Sequence, residues 1–319
     1  EAQRKYEATI KAKKGMSLVV DNKNGNIKIE RWNYDVIELK AIKFSWSWEA
    51  KNDIENVEIV PYQSDNDIVI ETQYGESVSV EKVAVYYSIK VPEFIYIKEL
   101  QNSNGKIEIN GGSGDCLLST SNGRIEVFDY KGNIEAYTNN GGIYLDNIEG
   151  NCSGTTSNAR VRLRSIKGDI NFSNGNASIS IEDVIGNIDL AADSGRISIS
   201  SAKDDIKAKT SFGSIDISNS DSNLKLFSSF GKISVNNVNG VVNAKTENGN
   251  INIFETKGII AAETSNGNIE VDITKLPENG TSLKSGFGSI TAYIQTDLNA
   301  DIKILSQKGK IDLSKTSIE

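Results

Sequence analysis

From residue 105 onward, apolar and polar positions alternate in short runs, and the runs recur on a nine-residue beat marked by glycine. Glycine falls at 105, 114, 123, 132, 141, 150, 168, 186, 195, 213, 231, 240, 249, 258 and 267. Where it is absent the register continues through Ala159, Ala177, Asp204 and Ser222. Period-two alternation predicts strands with one buried face, and so regular a beat predicts a stacked, one-dimensional object rather than a globule.

Successive units differ, so the structural period is two beats, about 18 residues to a rung. One arm reads N-G-x-I-x-I, with Val allowed last, as in Asn104 to Ile109, Asn122 to Val127, Asn248 to Ile253 and Asn266 to Val271. The other reads G-x-I-x-A-x-T, as in Gly132 to Thr138 and Gly258 to Thr264. Stacking at this period places Ile107, Ile125, Ile143, Val161, Ile179, Ile197, Ile215, Ile233, Ile251 and Ile269 in one internal column. Leu118, Ala136, Gly154, Phe172, Leu190, Ala208, Leu226, Ala244 and Ala262 fall in another on the opposite arm, with Phe172 expected to lean over Gly154. Rungs should rise by about 4.8 Å, the spacing of neighbouring strands.

The fold class predicted is all-β: a single-stranded parallel β-helix, or β-solenoid, with right-handed crossovers as parallel connections prefer. Thr120, Thr138, Thr156, Thr210, Ser228, Thr246 and Thr264 share a column before a turn, where hydroxyls can bond the backbone. Residues 1–100 read as an irregular β cap continuous with the rod, and 101–274 as regular rungs. Residues 275–319 read as longer C-terminal rungs, on the wider spacing of Gly267, Gly288 and Gly309, with a turn at Pro277-Glu278-Asn279-Gly280. A cap is needed because a first rung would otherwise expose a pairing edge.

Composition changes this picture little. Thirty-five Lys and Arg against 43 Asp and Glu give a formal charge of -8 with no block of one sign, which predicts neither nucleic acid nor an anionic membrane as partner. No run is long and apolar enough to span a bilayer. The start at Glu1 rather than Met fits a removed export signal, or an arbitrary chain boundary. Cys116 and Cys152 share a column two rungs apart, too far for a bridge, and read as inert buried thiols.

The segments Ser103-Asn104-Gly105-Lys106-Ile107-Glu108-Ile109 and Ser265-Asn266-Gly267-Asn268-Ile269-Glu270-Val271 carry a family resemblance. So do Val19-Val20 through Gly25-Asn26-Ile27-Lys28-Ile29-Glu30-Arg31-Trp32 and Tyr87-Ser88-Ile89-Lys90-Val91-Pro92. Over nearly its whole length the chain resembles a bacterial adhesin-like family, a domain of unknown function built from β-strand repeats. That resemblance implies an exported or envelope-associated protein, secreted, periplasmic or surface-anchored, and brings no catalytic residues with it.

There is no histidine, which removes the usual general base near neutral pH and the commonest transition-metal ligand. Glu108 and Glu126 should be rung neighbours, but Tyr144 and Arg162 follow them in their column, and Lys106 and Arg124 lie alongside, as on a solvated face. With no aspartate expected to recur at a fixed turn position, a calcium-loaded roll is disfavoured. No catalytic residue, metal or cofactor is therefore expected. Aromatics are the better lead. Ile42, Phe44, Trp46 and Trp48 alternate with polar residues, and are expected to pack across the open end of the rod; a ligand-stacking patch is the alternative. Phe128, Tyr130, Tyr137, Tyr144, Phe212 and Phe230 complete the possible ligand-facing set, with bracing of turns the favoured role for the rod's rings. The function expected is a non-enzymatic extracytoplasmic scaffold or adhesin-like binding protein, its partner a cell-surface or host glycan or an envelope protein. The competing class is a carbohydrate-active enzyme, a polysaccharide lyase or glycoside hydrolase, on the same β-helix.

Overall fold

In the computed structural model the chain is described at residues 1–274, 280–295, 303 and 305. It is a parallel β-solenoid with two faces, a sheet of 15 strands and one of 14 among the described residues. Ile107 pairs with Ile125, Ile125 with Ile143 and Ile143 with Val161, each step one 18-residue rung. The second face keeps the same beat, Leu118 on Ala136, Gly154 and Phe172. The two columns close on each other as one continuous apolar core. Ile269 stacks on Ile290 and Asn268 on Ser289, so this later rung is longer than those before it, as its glycine spacing predicts. The expected turn at Pro277 to Asn279 and the rung ending at Gly309 lie outside the described residues.

The glycine beat has a steric cause. A Cβ at Gly123 would stand 1.7 Å from the carbonyl oxygen of Gly105, one rung away. Glycine lets that corner close at strand spacing with its backbone in this position. The threonine column seals it: Thr138 Oγ1 accepts the Gly141 N–H at 3.1 Å and donates to the Gly123 carbonyl at 3.1 Å. Where alanine replaces glycine at 159 and 177, Asn174 substitutes for threonine, donating to the Ala159 carbonyl and accepting from Ala177 N–H. Outside this corner runs an asparagine ladder, Asn104 to Asn122, Asn140, Asn158 and Asn176, with amide links of 2.7 to 2.9 Å.

The cap departs from the rod by inserting chain rather than abandoning the register. Its elements are β1 (Ala2–Lys11), β2 (Ser17–Asp21), β3 (Ile27–Trp32), β4 (Val36–Ser45), α1 (Ala50–Glu55), β5 (Val57–Ser64), β6 (Asp67–Tyr74), β7 (Val83–Pro92), β8 (Tyr96–Asn102) and β9 (Ile107–Ser113). β3 pairs in parallel with both β7 and β9, and β2 with both β6 and β8. The early Asn24-Gly25-Asn26 turn is thus a true rung, lying directly beside Asn104-Gly105-Lys106. The 36–95 segment leaves, builds the outer layer and returns on the far side. β1, β4 and β5 pair antiparallel, and β1 and β5 end the two sheets.

Strand β4 overturns the expected cap core. Ile37, Leu39, Ala41, Lys43 and Ser45 point inward, while Ile42, Phe44 and Trp46 share the outer face with Glu38 and Lys40. A strand keeps one parity throughout, and Ile37 and Leu39 set it before the aromatics are reached. The unexpected inward residue is Lys43, only 8% exposed. Its ammonium donates to the carbonyls of Ile54 at 2.9 Å and Val57 at 2.6 Å, serving the backbone where α1 ends. Burial holds its pKa below the ordinary lysine range.

Candidate functional site

The outer face of β4 and the turn after it carry a cluster of exposed apolar side chains. Trp46 is 57% exposed and Trp48 is fully exposed; Phe44 is half-buried, its ring 5.7 Å from that of Trp46. Across the ladder Phe44 stands opposite Ala84, and Ile42 opposite Tyr86, which is itself exposed. On the other side of β4, Gln3 faces Phe44 and Lys5 faces Ile42. The platform is held rigidly. Ser47 donates to the buried carboxylate of Asp53 on α1, and Asp53 N–H bonds the Glu49 carbonyl at 2.9 Å. Trp48 sits within that turn.

The other aromatics separate into different roles. Phe128 and Tyr144 are half-buried on neighbouring rungs, ring centres 5.4 Å apart and edge-on. Arg162 lies over the Tyr144 ring at 5.8 Å. Tyr137 is exposed, its hydroxyl donating to Glu135 at 3.2 Å. Phe212 and Phe230 are exposed and stacked at 5.1 Å with planes 7° apart, and they continue the column of the asparagine ladder. Each ring covers one face of the other, and Phe287 occupies the matching slot beside Asn266.

Tyr130 is a correction, being 1% exposed and part of the core. Asp129 just before it has φ of 55°, as do its rung equivalents within a few degrees, Asn147 (56°), Ser165 (53°), Asp183 (56°) and Ser201 (55°). A left-handed residue at this corner shifts the alternation, so the next side chain turns inward. Tyr130 has room because glycine stands beside it; a Cβ at Gly112 would lie 2.4 Å from the ring. Its hydroxyl donates to the Ile97 carbonyl at 3.2 Å.

The same corner opens a shallow groove of about 550 Å³ along the rod, running past Asn147, Asp183, Asn219 and Glu255. Its floor passes from Ile166 and Val184 to the smaller Ala202 and Ser220. Its rim mixes Lys167, Lys203 and Lys257 with Asp221, so no single sign of charge prevails.

The two glutamates that the column singles out, Glu108 and Glu126, are engaged in ion pairs. Lys106 bonds Glu108 and also reaches Glu126 at 3.0 Å, while Arg124 meets Glu126 at 3.0 Å. The Lys106 bond holds the Glu108 carboxyl below the usual carboxylate range, which opposes a role as proton donor near neutral pH. Aspartates do recur at one turn position, contrary to expectation: Asp115, Asp169 and Asp205 occupy the column with Asn133, Asn151, Asn187 and Asn223. Their oxygens are used within the rod, Asp169 Oδ1 accepting the Asn187 N–H at 2.8 Å. Among the described residues no three His, Cys, Asp or Glu converge as a metal cluster. Cys116 and Cys152 are free and buried two rungs apart, and burial pushes each thiol up to about 12.

No family model and no curated protein matches the chain. Among solved structures it is similar to a candidate cell adhesion protein from Clostridium sporogenes, at 12% identity and TM-score 0.26, over 92% of this chain and 100% of that one. It is similar to a candidate adhesin from Bacteroides fragilis, at 13% and 0.30, over 91% and 97%. A candidate lipid-binding protein from Parabacteroides distasonis matches at 16% and 0.32, over 91% and 96%. Two of the three carry the adhesin-like description that the sequence resemblance carries. At these scores the likeness speaks to neither ligand nor activity, and the fold rests on the strand register itself. Among the described residues no helix is long and apolar enough to cross a membrane.

Proposed function

We propose that this chain is a non-enzymatic, extracytoplasmic bacterial scaffold that presents an adhesin-like binding face, and that the face is the aromatic platform of Phe44, Trp46 and Trp48. The observation that carries the reading is the exposure of two tryptophans on a braced strand end, where folding gains nothing from them. Large rings left in water on a rigid base suit stacking on the apolar face of a sugar or on a partner's side chains. A cell-surface or host glycan is the partner class this chemistry fits best, with the long polar rod holding the platform away from its base.

Glycan-array binding by the native chain and by a Trp46→Ala/Trp48→Ala double variant tests this. Binding that falls at least about tenfold in the variant, with unchanged melting, supports the platform. Equal binding by both proteins would sink it. The non-enzymatic part is tested separately, by incubating polysaccharides with the protein, with and without calcium. Sustained release of reducing ends or unsaturated products, abolished by substituting a groove carboxylate such as Asp183, would overturn it in favour of a carbohydrate-active enzyme.

A further inference from the structure

Several cations of the rod pair with a carboxylate on a neighbouring rung, and two lysines on its opposite face do not. Lys131 and Lys167 flank Glu149, Arg164 pairs with Asp146, and Lys106 with Glu126, each on a neighbouring rung. On the outer face of the 14-stranded sheet, however, Lys207 stands directly opposite Lys225, and Lys209 is separated from Lys245 only by Phe227. Like charges placed directly opposite in a sheet are destabilising, so folding does not account for this arrangement. Lys207 is held by Asp189 at 2.6 Å and Lys245 by Glu263 at 3.0 Å, which fixes the two ends of the cluster. Lys209 and Lys225, both exposed, make no ion pair among the described residues. Lys209 Nζ lies 5.7 Å from the centre of the half-buried Phe227 ring.

The geometry points to a second binding site here, for a linear acidic polysaccharide bearing uronate carboxylates. Charge complementarity supplies the argument: four lysines cluster on a chain whose formal charge is -8. The flat strand face lets a polymer run along the rod. Phe227 takes the apolar face of one sugar, Lys209 a carboxylate one rung away and Lys225 a carboxylate beside the ring along the strand. A ring at the centre of the cations separates this ligand from a purely phosphate-bearing polymer, which would have no use for it. The site lies on the other sheet from Trp46 and Trp48 and does not depend on them.

The test measures binding of polygalacturonate, neutral dextran and inorganic polyphosphate by calorimetry at low and moderate salt. The native chain is expected to bind polygalacturonate, with affinity falling as salt rises, and to ignore dextran. Lys209→Gln with Lys225→Gln should weaken binding about tenfold, the effect of losing two exposed ion pairs. Phe227→Leu keeps apolar bulk in the fold and should weaken polygalacturonate severalfold while leaving any polyphosphate binding unchanged. Trp46→Ala/Trp48→Ala should leave all of it intact, so failure of the cap platform and failure of this site are distinguishable. No polygalacturonate binding, or binding indifferent to Phe227 and matched by polyphosphate, would overturn the proposal.

Discussion

Rod and cap solve the same problem by different means. In the rod each strand covers the apolar edge of its predecessor at a constant 18-residue step, so one set of contacts repeats: an Ile column, a small-residue column, a glycine corner and a threonine seal. In the cap that set continues only through the rung of β2 and β3, and the layer outside it repeats nothing. Ten-residue strands β1 and β4 pair antiparallel, a short helix crosses the end, and a lysine amine replaces an apolar side chain in the interior. In the rod Phe212 and Phe230 stack on each other and Tyr144 lies beside a cation, while in the cap Trp46 and Trp48 stay exposed. The contrast separates support from presentation. A repeat that needs every inward side chain has little freedom to vary inside, whereas a terminal layer is free to display what it does not bury.

The largest effect should come from emptying the rod. Phe172→Ala removes one of the largest fully buried side chains and should cost about 3–5 kcal/mol, read as a fall in urea midpoint. A shift as small as that of a surface change would mean the rungs are not packed as described. Filling the rod comes next. A Cβ at Gly154 would stand 1.9 Å from the Ala136 carbonyl oxygen and 2.9 Å from Phe172 Cε1, so Gly154→Leu overpacks the column and should cost at least about 1–3 kcal/mol in the same assay.

Those two positions also show what a sequence can reveal. Ile125, Gly154 and Phe172 were legible because each has counterparts one rung away that test the register. The inward turn of Tyr130 was not, because it depends on a left-handed residue that no single residue type marks: Asp129, Asn147, Ser165 and Ser201 all adopt it. The outward face of β4 was readable in part, since Glu38 and Lys40 precede Ile42 and Phe44 at the same parity. What hid it was Lys43, whose place in the core follows only from the carbonyls of Ile54 and Val57. Neither platform carries a motif, because stacking on a flat sheet needs only neighbours across rungs.

In the cap, Lys43→Met keeps the aliphatic stem and deletes the amine, leaving those two carbonyls without their donor. The expected cost is about 1–2 kcal/mol, with amide exchange rising first in α1 and β5. Unchanged exchange there would show that the amine does not hold the crossing. The smallest effect belongs to Trp46→Ala, expected to cost no more than about 0.5 kcal/mol in the urea melt, as for a surface substitution. A cost near that of Phe172→Ala would return Trp46 to the core.

The contrast between a sealed rod and a displaying cap is tested most directly by tryptophan emission in a Trp32→Phe background. That substitution removes the one indole that is half-buried and bonded to a backbone carbonyl, at Val36. Trp46 and Trp48 should then emit at long wavelength and be quenched by acrylamide nearly as readily as free tryptophan. Blue-shifted emission that resists the quencher would place both rings inside the cap and contradict the account.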